Sequence, residues 1–195
     1  MPLSAPAARD HLHTRVVTCQ GFRRADGLWD IEGHITDVKT YLFNNEHRGT
    51  ISPGEPLHDM WIRLTLDDDF TVRAIEAVTD ASPFVPCSTI TPVFQKLVGL
   101  RITKGWTRAV KERLGGVLGC THLVELLGPV ATTAFQTLYP ILSQERAARD
   151  REHGRAGSTA KHRPAIIDTC HALAADGPIV ARYWPQFATG PRPPR

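Results

Sequence analysis

The stretch HDMWIRLTLD, residues 58–67, decides the fold of this chain because apolar and polar residues alternate along it. One face carries Met60, Ile62, Leu64 and Leu66. The other face carries Asp59, Trp61, Arg63 and Thr65. A period of two residues is typical of a β-strand that is buried on one side. The stretch therefore predicts a strand in an antiparallel sheet.

The same alternation continues on both sides of this stretch. Upstream, residues 14–41 predict a hairpin that turns at Ala25-Asp26-Gly27, and its second strand buries Trp29, Ile31 and Ile35 on one face. Downstream, residues 67–69 form an all-aspartate turn that leads into a further alternating strand, residues 70–79. The N-terminal half is therefore expected to form an antiparallel sheet.

Beyond residue 81 the apolar period lengthens toward that of helices. Residues 89–98 and 107–114 predict two short helices, and glycines at 115, 116 and 119 form a joint. A longer helix follows, with one apolar face made of Leu123, Leu126, Leu127, Val130, Ala131, Ala134 and Leu138. Pro129 is expected to kink it. The fold class is therefore α+β, an antiparallel sheet followed by and covered by helices.

Chain length and charge divide the sequence into two parts. A chain of 195 residues fits one compact domain, assigned to residues 12–143, with an extension at 144–195. That extension is expected to hold a charged helix, a break at Gly157-Ser158, a last helix over residues 165–175 and a proline-rich tail. Its segment 144–163 accounts for the net charge of +3, through Arg146, Arg149, Arg151, Arg155, Lys161 and Arg163 against three acids.

These features exclude several classes of protein. The apolar region 117–135 is interrupted by His122, Glu125 and Pro129, so no membrane span is expected, and a cytoplasmic location follows by default. The basic segment contains no aromatic residues, which makes nucleic acid an improbable partner. A small molecule, a protein docked on the basic segment and a second copy of the chain stay open as partners.

Four residues form the candidate site: Asp59, Cys87, Cys120 and His122. Cys87 follows Pro86 at a predicted helix start, and Cys120 follows the glycine joint at another, where the partial positive charge of a helix N-terminus would stabilise a thiolate. His122 lies two residues beyond Cys120, and Asp59 leads the strand described above. Whether His58 replaces Asp59 as the ligand stays open. Thiolate, imidazole and carboxylate together suit zinc or iron. The alternative for each residue is a structural role as a buried cysteine, a helix-start histidine or a solvated strand-end carboxylate.

The order of these residues along the chain is similar to that in the NifU-like iron-sulfur scaffold family. The resemblance implies a small antiparallel sheet covered by helices, with Asp59, Cys87, Cys120 and His122 at the ligand positions. Leu57 stands where the first scaffold cysteine would be, and His58 replaces a glycine. A three-cysteine cluster site is therefore not preserved, and the resemblance implies a site for a single zinc or iron ion.

A second resemblance covers most of the chain, roughly residues 12–146. It rests on the runs GLWDIEGH at 27–34, HDMWIRLTLD at 58–67 and GGVLGCTHLVELL at 115–127. These runs resemble a bacterial family of proteins of unknown function, domain-of-unknown-function family 2889. That resemblance implies no activity.

Three hypotheses about function follow. The first is a metal-binding protein of scaffold-like or accessory role that holds zinc or iron. The second is a small-molecule enzyme with Cys120 as nucleophile and His34 or His122 as base, or with a metal-activated water. The third is a non-catalytic module whose basic segment docks on an acidic protein surface.

Overall fold

The computed structural model describes residues 3–153 and 163–190. The chain divides into two compact units, Met1–Leu142 and Ser143–Arg195. The sequence-based division at residue 143 falls next to this boundary. The larger unit carries the sheet and most of the buried residues, and it is described first.

Four antiparallel strands form the main sheet of the larger unit. They are β1 (His13–Arg23), β2 (Trp29–Lys39), β5 (Pro56–Leu66) and β6 (Val72–Ala81), and they lie side by side in the order β1-β2-β5-β6. A small hairpin of β3 (Phe43–Asn45) and β4 (Gly49–Ile51) interrupts the connection between β2 and β5. Gly27, in the turn between β1 and β2, adopts φ +86°, a left-handed conformation that glycine reaches without steric cost. The predicted antiparallel sheet is confirmed.

The two faces of the sheet differ in burial as the alternation predicts. On β2 the inner residues Trp29, Ile31 and Ile35 are almost fully buried, while their neighbours on the outer face are partly exposed. On β5 the inner residues are Met60, Ile62 and Leu64, each at most 2% exposed. Each such side chain contributes roughly 1.5–3 kcal/mol when it is removed from water. The core therefore lies between the inner face of the sheet and the helices that follow.

Short helices lead from the sheet to the long helix. They are α1 (Pro86–Thr89), a 3-10 helix (Thr91–Leu97), α2 (Trp106–Leu114) and a 3-10 turn (Gly116–Leu118). Most of the helix predicted over residues 89–98 is a 3-10 helix, and α1 ends at Thr89, where the predicted helix begins. Phe94 and Leu97 from the 3-10 helix, and Trp106 and Val110 from α2, join the core.

The long helix α3 (Thr121–Glu152) covers the inner face of the sheet. Six of the seven residues predicted for its apolar face are buried, and Ala131 is half-buried. Glycines on two strands allow the close approach. A Cβ atom at Gly33 would lie 2.5 Å from Val130 Cγ2, and one at Gly21 would lie 2.0 Å from Thr137 Oγ1. Because α3 touches both β1 and β2, it lies over these two strands.

The smaller unit has its own apolar cluster, made of Ile167, Ala175 and Val180 with Trp184, Phe187 and Ala188 packed against it. Its described elements after α3 are a 3-10 helix (His171–Leu173), α4 (Pro178–Tyr183) and a 3-10 turn (Pro185–Phe187). The helix predicted over residues 165–175 is wrong, since turns occupy most of that range. The predicted break at Gly157-Ser158 and the tail 191–195 lie outside the described residues. Within the described ranges, no helix combines the length and apolarity needed to cross a membrane.

Candidate metal centre

A buried carboxylate, Asp37, forms the centre of a polar cluster on the inner face of the sheet. Asp37 continues the buried series Trp29, Ile31, Gly33 and Ile35 along β2, and it is only 1% exposed. Its register partners are Arg15 on β1 and His58 on β5. Three neighbouring strands therefore present polar side chains at the same level of the inner face.

Four hydrogen bonds converge on the two oxygens of Asp37. Arg15 donates from Nε to Oδ1 at 2.8 Å and from Nη2 to Oδ2 at 2.9 Å, in a two-point pair. His13 Nε2 lies 2.9 Å from Oδ1, and His58 Nδ1 lies 3.0 Å from Oδ2. An ionised carboxylate accepts and does not donate, so each of these ring nitrogens carries the shared hydrogen. Asp37 thereby fixes the orientation of His58.

The first turn of α3 completes the cluster from above the sheet. His122 Nε2 lies 3.9 Å from Asp37 Oδ2, and the rings of His58 and His122 lie 3.8 Å apart between centroids with a tilt of 33°. One turn further along, Glu125 accepts a hydrogen bond from Arg15 Nη1 at 2.9 Å. The long helix therefore places one imidazole and one carboxylate at the cluster.

The environment keeps both imidazoles neutral at pH 7. Burial lowers the pKa of His58 to about 4, and the nearby His122 adds to the effect, although Asp37 opposes it. Burial also lowers the pKa of His122, with the charge of Arg15 in the same direction. Burial raises the pKa of Asp37, but the hydrogen bonds and charges of Arg15 and the histidines outweigh it, and the net pKa lies below its ordinary value. The cluster thus pairs an ionised carboxylate with two neutral imidazoles.

These are the protonation states that a metal ion requires of its ligands. One donor atom from each of Asp37, His58 and His122 lies within 4.8 Å of the other two. Among the residues that the structure describes, this is the one group of three or more histidine, cysteine or acidic side chains with that property. The cluster could hold a metal ion.

The structure brings His122 into this cluster but leaves the other three residues of the predicted site elsewhere. Asp59 is on the outer face of β5 and accepts a hydrogen bond from His34 Nε2 at 2.6 Å. Cys120 is 9% exposed in the core, with its Sγ 3.9 Å from Met60 Sδ. Cys87 is half-buried in α1. Metal binding by these three residues stays a prediction from the sequence.

The sequence-based site does not include Asp37 and leaves His58 open only as an alternative to Asp59, although the alternation carries the signal for both. In β5 the period of two places His58 on the same face as Met60 and Ile62, and it places the predicted ligand Asp59 on the opposite face. In β2 the same period continues from Ile35 to Asp37. A charged residue or a histidine at a strand position that otherwise faces the apolar core is unusual, and it therefore indicates a candidate functional site.

Comparisons with known proteins give one match. The model of a family described as "Protein of unknown function (DUF2889)" matches residues 13–136. That range runs from the first residue of β1 into α3, so it includes every residue of the cluster. No curated protein and no solved structure matches the chain.

Proposed function

Since the chain belongs to the DUF2889 family, whose function is unknown, we propose from the site itself that this protein binds one divalent transition-metal ion through Asp37, His58 and His122. The observation that carries the proposal is a buried carboxylate and two neutral imidazoles within 4.8 Å of one another. Zinc and iron(II) are the ions that two histidines and one carboxylate suit best. The proposed role, a metal-binding protein, is the one in the first hypothesis from the sequence. The ligands differ from that hypothesis in all but His122.

The distances between donor atoms fit such an ion. Ligand atoms about 2.1 Å from a tetrahedral zinc ion are separated by about 3.4 Å. The distances from Asp37 Oδ2 to His58 Nδ1 and to His122 Nε2, 3.0 Å and 3.9 Å, lie on either side of this value. Coordination through His58 Nδ1 requires the ring hydrogen to move to Nε2, so that the ion replaces the hydrogen bond to Asp37. Small side-chain movements would then bring the three donors to coordination distance.

The charge of the cluster also favours a cation. Arg15 is positive and its partners Asp37 and Glu125 are both negative, so these three side chains and the neutral His58 and His122 together carry one net negative charge. Arg15 opposes a cation directly, while its pair with Glu125 offsets that effect. The hydrogen bonds from Arg15 and His13 to Asp37 would remain as support for the carboxylate, in the way that metal-binding side chains are usually oriented.

Metal titration of the purified, chelator-treated protein tests the proposal. We expect about one equivalent of zinc, or of iron(II) under anaerobic conditions, to bind the wild type. His122→Ala should weaken binding by at least about 100-fold, because it removes a ligand and leaves the sheet intact. His34→Ala is the matched control, since it removes an imidazole that pairs with Asp59 on the outer face. Absence of stoichiometric binding by the wild type would refute the proposal.

The same titration separates this ligand set from the one predicted from the sequence. Replacement of Cys87 or Cys120 by serine should leave the affinity unchanged if Asp37, His58 and His122 are the ligands. A loss of metal with either cysteine variant and retention with His58→Ala would instead favour the sequence-based set, Asp59, Cys87, Cys120 and His122.

A second candidate function is an enzyme that uses a metal-activated water. Three protein ligands leave a coordination position open, and His122 is about one-quarter exposed, so solvent reaches this side of the cluster. Hydrolysis of the probe ester 4-nitrophenyl acetate would test it. Zinc-loaded wild type should exceed both the metal-free protein and His122→Ala in rate, whereas equal rates would argue for metal binding without hydrolysis.

A further inference from the structure

The two edges of the main sheet differ in whether their outward backbone groups are hydrogen-bonded. At the β6 edge, other segments occupy the free backbone groups: Val72 exchanges hydrogen bonds with Gly99 and Leu100, both at 2.8 Å, and Gln95 Nε2 donates to the Ile75 carbonyl at 2.7 Å. At the β1 edge, no strand of the described residues pairs on the outer side. The β1 edge thus presents a row of backbone donors and acceptors to solvent.

The sequence of β1 lacks most of the usual devices that protect such an edge. Its 11 residues pair with β2 without a register shift, and they include no proline and no lysine. Val16, Val17 and Phe22 are between 43% and 50% exposed. Arg15 is an inward-pointing charge, which is one such device, but Asp37 and Glu125 of the same chain neutralise it. A long, regular edge of this kind is suited to pair with another strand.

The helix above β1 has an exposed flank that is uncharged beyond Glu125, which pairs with Arg15 of the same chain. Pro129, Thr132, Gln136 and Pro140 are exposed and recur at helical spacing, on the side where α3 approaches β1 through Thr133 and Thr137. Solvated helix faces usually carry charged residues, as α3 itself does after Gln144. An uncharged flank beside an open edge indicates a surface that another protein covers.

We propose that the partner is a second copy of this chain, bound through antiparallel pairing of the two β1 strands about a two-fold axis. The axis would pass at Thr18, the centre of β1, so that the whole strand His13–Arg23 is paired. In this register Val17 faces Cys19 of the second copy, and Arg15 faces Gly21. The guanidinium of Arg15 is held by Asp37 and Glu125 of its own chain and does not need the space above Gly21, which Thr137 fills. No two arginines face each other, so the strand is complementary to itself.

The position of α3 fits the same dimer. Its contacts with both Gly21 on β1 and Gly33 on β2 place the helix between these strands. With strands about 4.8 Å apart, two helices so placed on either side of the axis would lie about 10 Å from each other. That is the separation at which helices pack, and the small side chains of the uncharged flank suit it. Sheet pairing and helix packing therefore point to one dimer, whether or not the protein binds metal.

Analytical ultracentrifugation of the full chain tests the proposal. We expect the wild type to have twice the mass of one chain at micromolar concentrations. Thr18→Glu places two carboxylates directly opposite each other across the axis, and Thr18→Lys places two ammonium groups there, so each variant should weaken dimerisation roughly tenfold or more. An equal mixture of the two variants should restore the dimer, because opposite charges then face each other.

The matched control is Val78→Glu, which adds the same charge to the outer face of the sheet at the β6 edge. It should leave the dimer unchanged, and the thermal midpoint of each variant reports whether it is folded. A wild type that stays monomeric up to about 100 μM would overturn the proposal. Dimers that tolerate either charge at Thr18, or a mixture that fails to recover, would overturn it as well.

Discussion

At the scale of single residues, Asp37 holds together parts of the chain that are far apart in sequence. It accepts hydrogen bonds from β1 and β5, and it lies on the strand between them. A buried carboxylate is tolerated when its lone pairs are occupied and a cation is nearby, and Arg15 meets both conditions. Replacement of the carboxylate by an amide leaves one acceptor oxygen for Arg15 and the two histidines, and places a donor NH2 where the second oxygen accepts.

Asp37→Asn should therefore destabilise the fold. We expect the free energy of unfolding to fall by about 2 kcal/mol. This loss is smaller than for a fully buried ion pair, because water reaches Arg15. Urea unfolding in the presence of a chelator measures it. Asp69→Asn is the control, since Asp69 is 81% exposed beside Arg101 and should change stability by less than about 0.5 kcal/mol. Equal effects of the two substitutions would show that burial of Asp37 contributes nothing.

The pKa of His58 predicts a dependence of stability on pH. In the unfolded chain this imidazole gains its proton near pH 6.5, whereas in the folded protein the pKa is about 4. The unfolded state therefore binds more protons between these values, and stability falls as the pH is lowered from 6.5 toward 4. The contribution of His58 to this loss amounts to about 3 kcal/mol.

Unfolding by urea at several pH values between 7 and 4 measures this loss in the chelator-treated protein. His58→Gln should show a shallower decline, because it lacks the group that titrates while it keeps the other acids and histidines. If the two proteins lose stability in parallel, the low pKa of His58 is contradicted.

At the scale of secondary-structure elements, glycines on the strands determine how closely α3 approaches the sheet. A methyl group at Gly33 would lie 2.5 Å from Val130 Cγ2 and 3.1 Å from Leu126 Cγ, both in the core. Because the interior is close-packed, α3 would have to move. Such a movement would also shift His122, which begins the same helix.

Gly33→Ala should therefore lower the free energy of unfolding by roughly 2 kcal/mol. Val130→Ala in the same chain should recover part of the loss, because it removes the methyl group that the new Cβ would meet. Gly128→Ala is the control, since nothing lies within 4 Å of its Cβ position, and in a helix this change is expected to stabilise by about 0.5–1 kcal/mol. Additive effects of Gly33→Ala and Val130→Ala would contradict the contact.

The elements themselves could be predicted from the sequence because their patterns are local. The alternation around residues 29–35 and 58–67 predicts β2 and β5, and the apolar spacing from Leu123 to Leu138 predicts α3. The cluster could not be predicted in the same way. Asp37 lies beside Arg15 and His58 only because β2 pairs with β1 and β5 in one particular register. That register is a property of the assembled sheet and is not contained in the pattern of any single strand. The chemistry of a cysteine predicts a ligand without regard to its position, and the structure places Cys120 in the core, with its Sγ 3.9 Å from Met60 Sδ.

At the scale of the whole molecule, the two units have separate apolar clusters. The cluster of the larger unit extends from Trp29 to Leu138 with Leu142 packed against it, and the cluster of the smaller unit begins at Ile167. All residues of the metal-binding proposal lie in the larger unit.

A chain that ends at Leu142 should fold and retain the candidate site. We expect cooperative thermal unfolding and the same metal stoichiometry as the full-length protein. Circular dichroism and metal titration provide the measurements, with His122→Ala in the shortened chain as the control for specific binding. Loss of cooperative unfolding on truncation would show that the smaller unit contributes to the core.

The hydrogen bonds around Asp37 have a further consequence, for the order of events during folding. Arg15 and Asp37 are 22 residues apart, His58 and Asp37 are 21 apart, and the bond between Arg15 and Glu125 spans 110 residues. Closure of so long a loop costs entropy that is recovered when the final contacts form, and non-local contacts form slowly. A nascent chain could join its first strands early, but the imidazole of His122 arrives only when the long helix has been made and docked. A metal ion would therefore enter a finished protein and would not guide its folding.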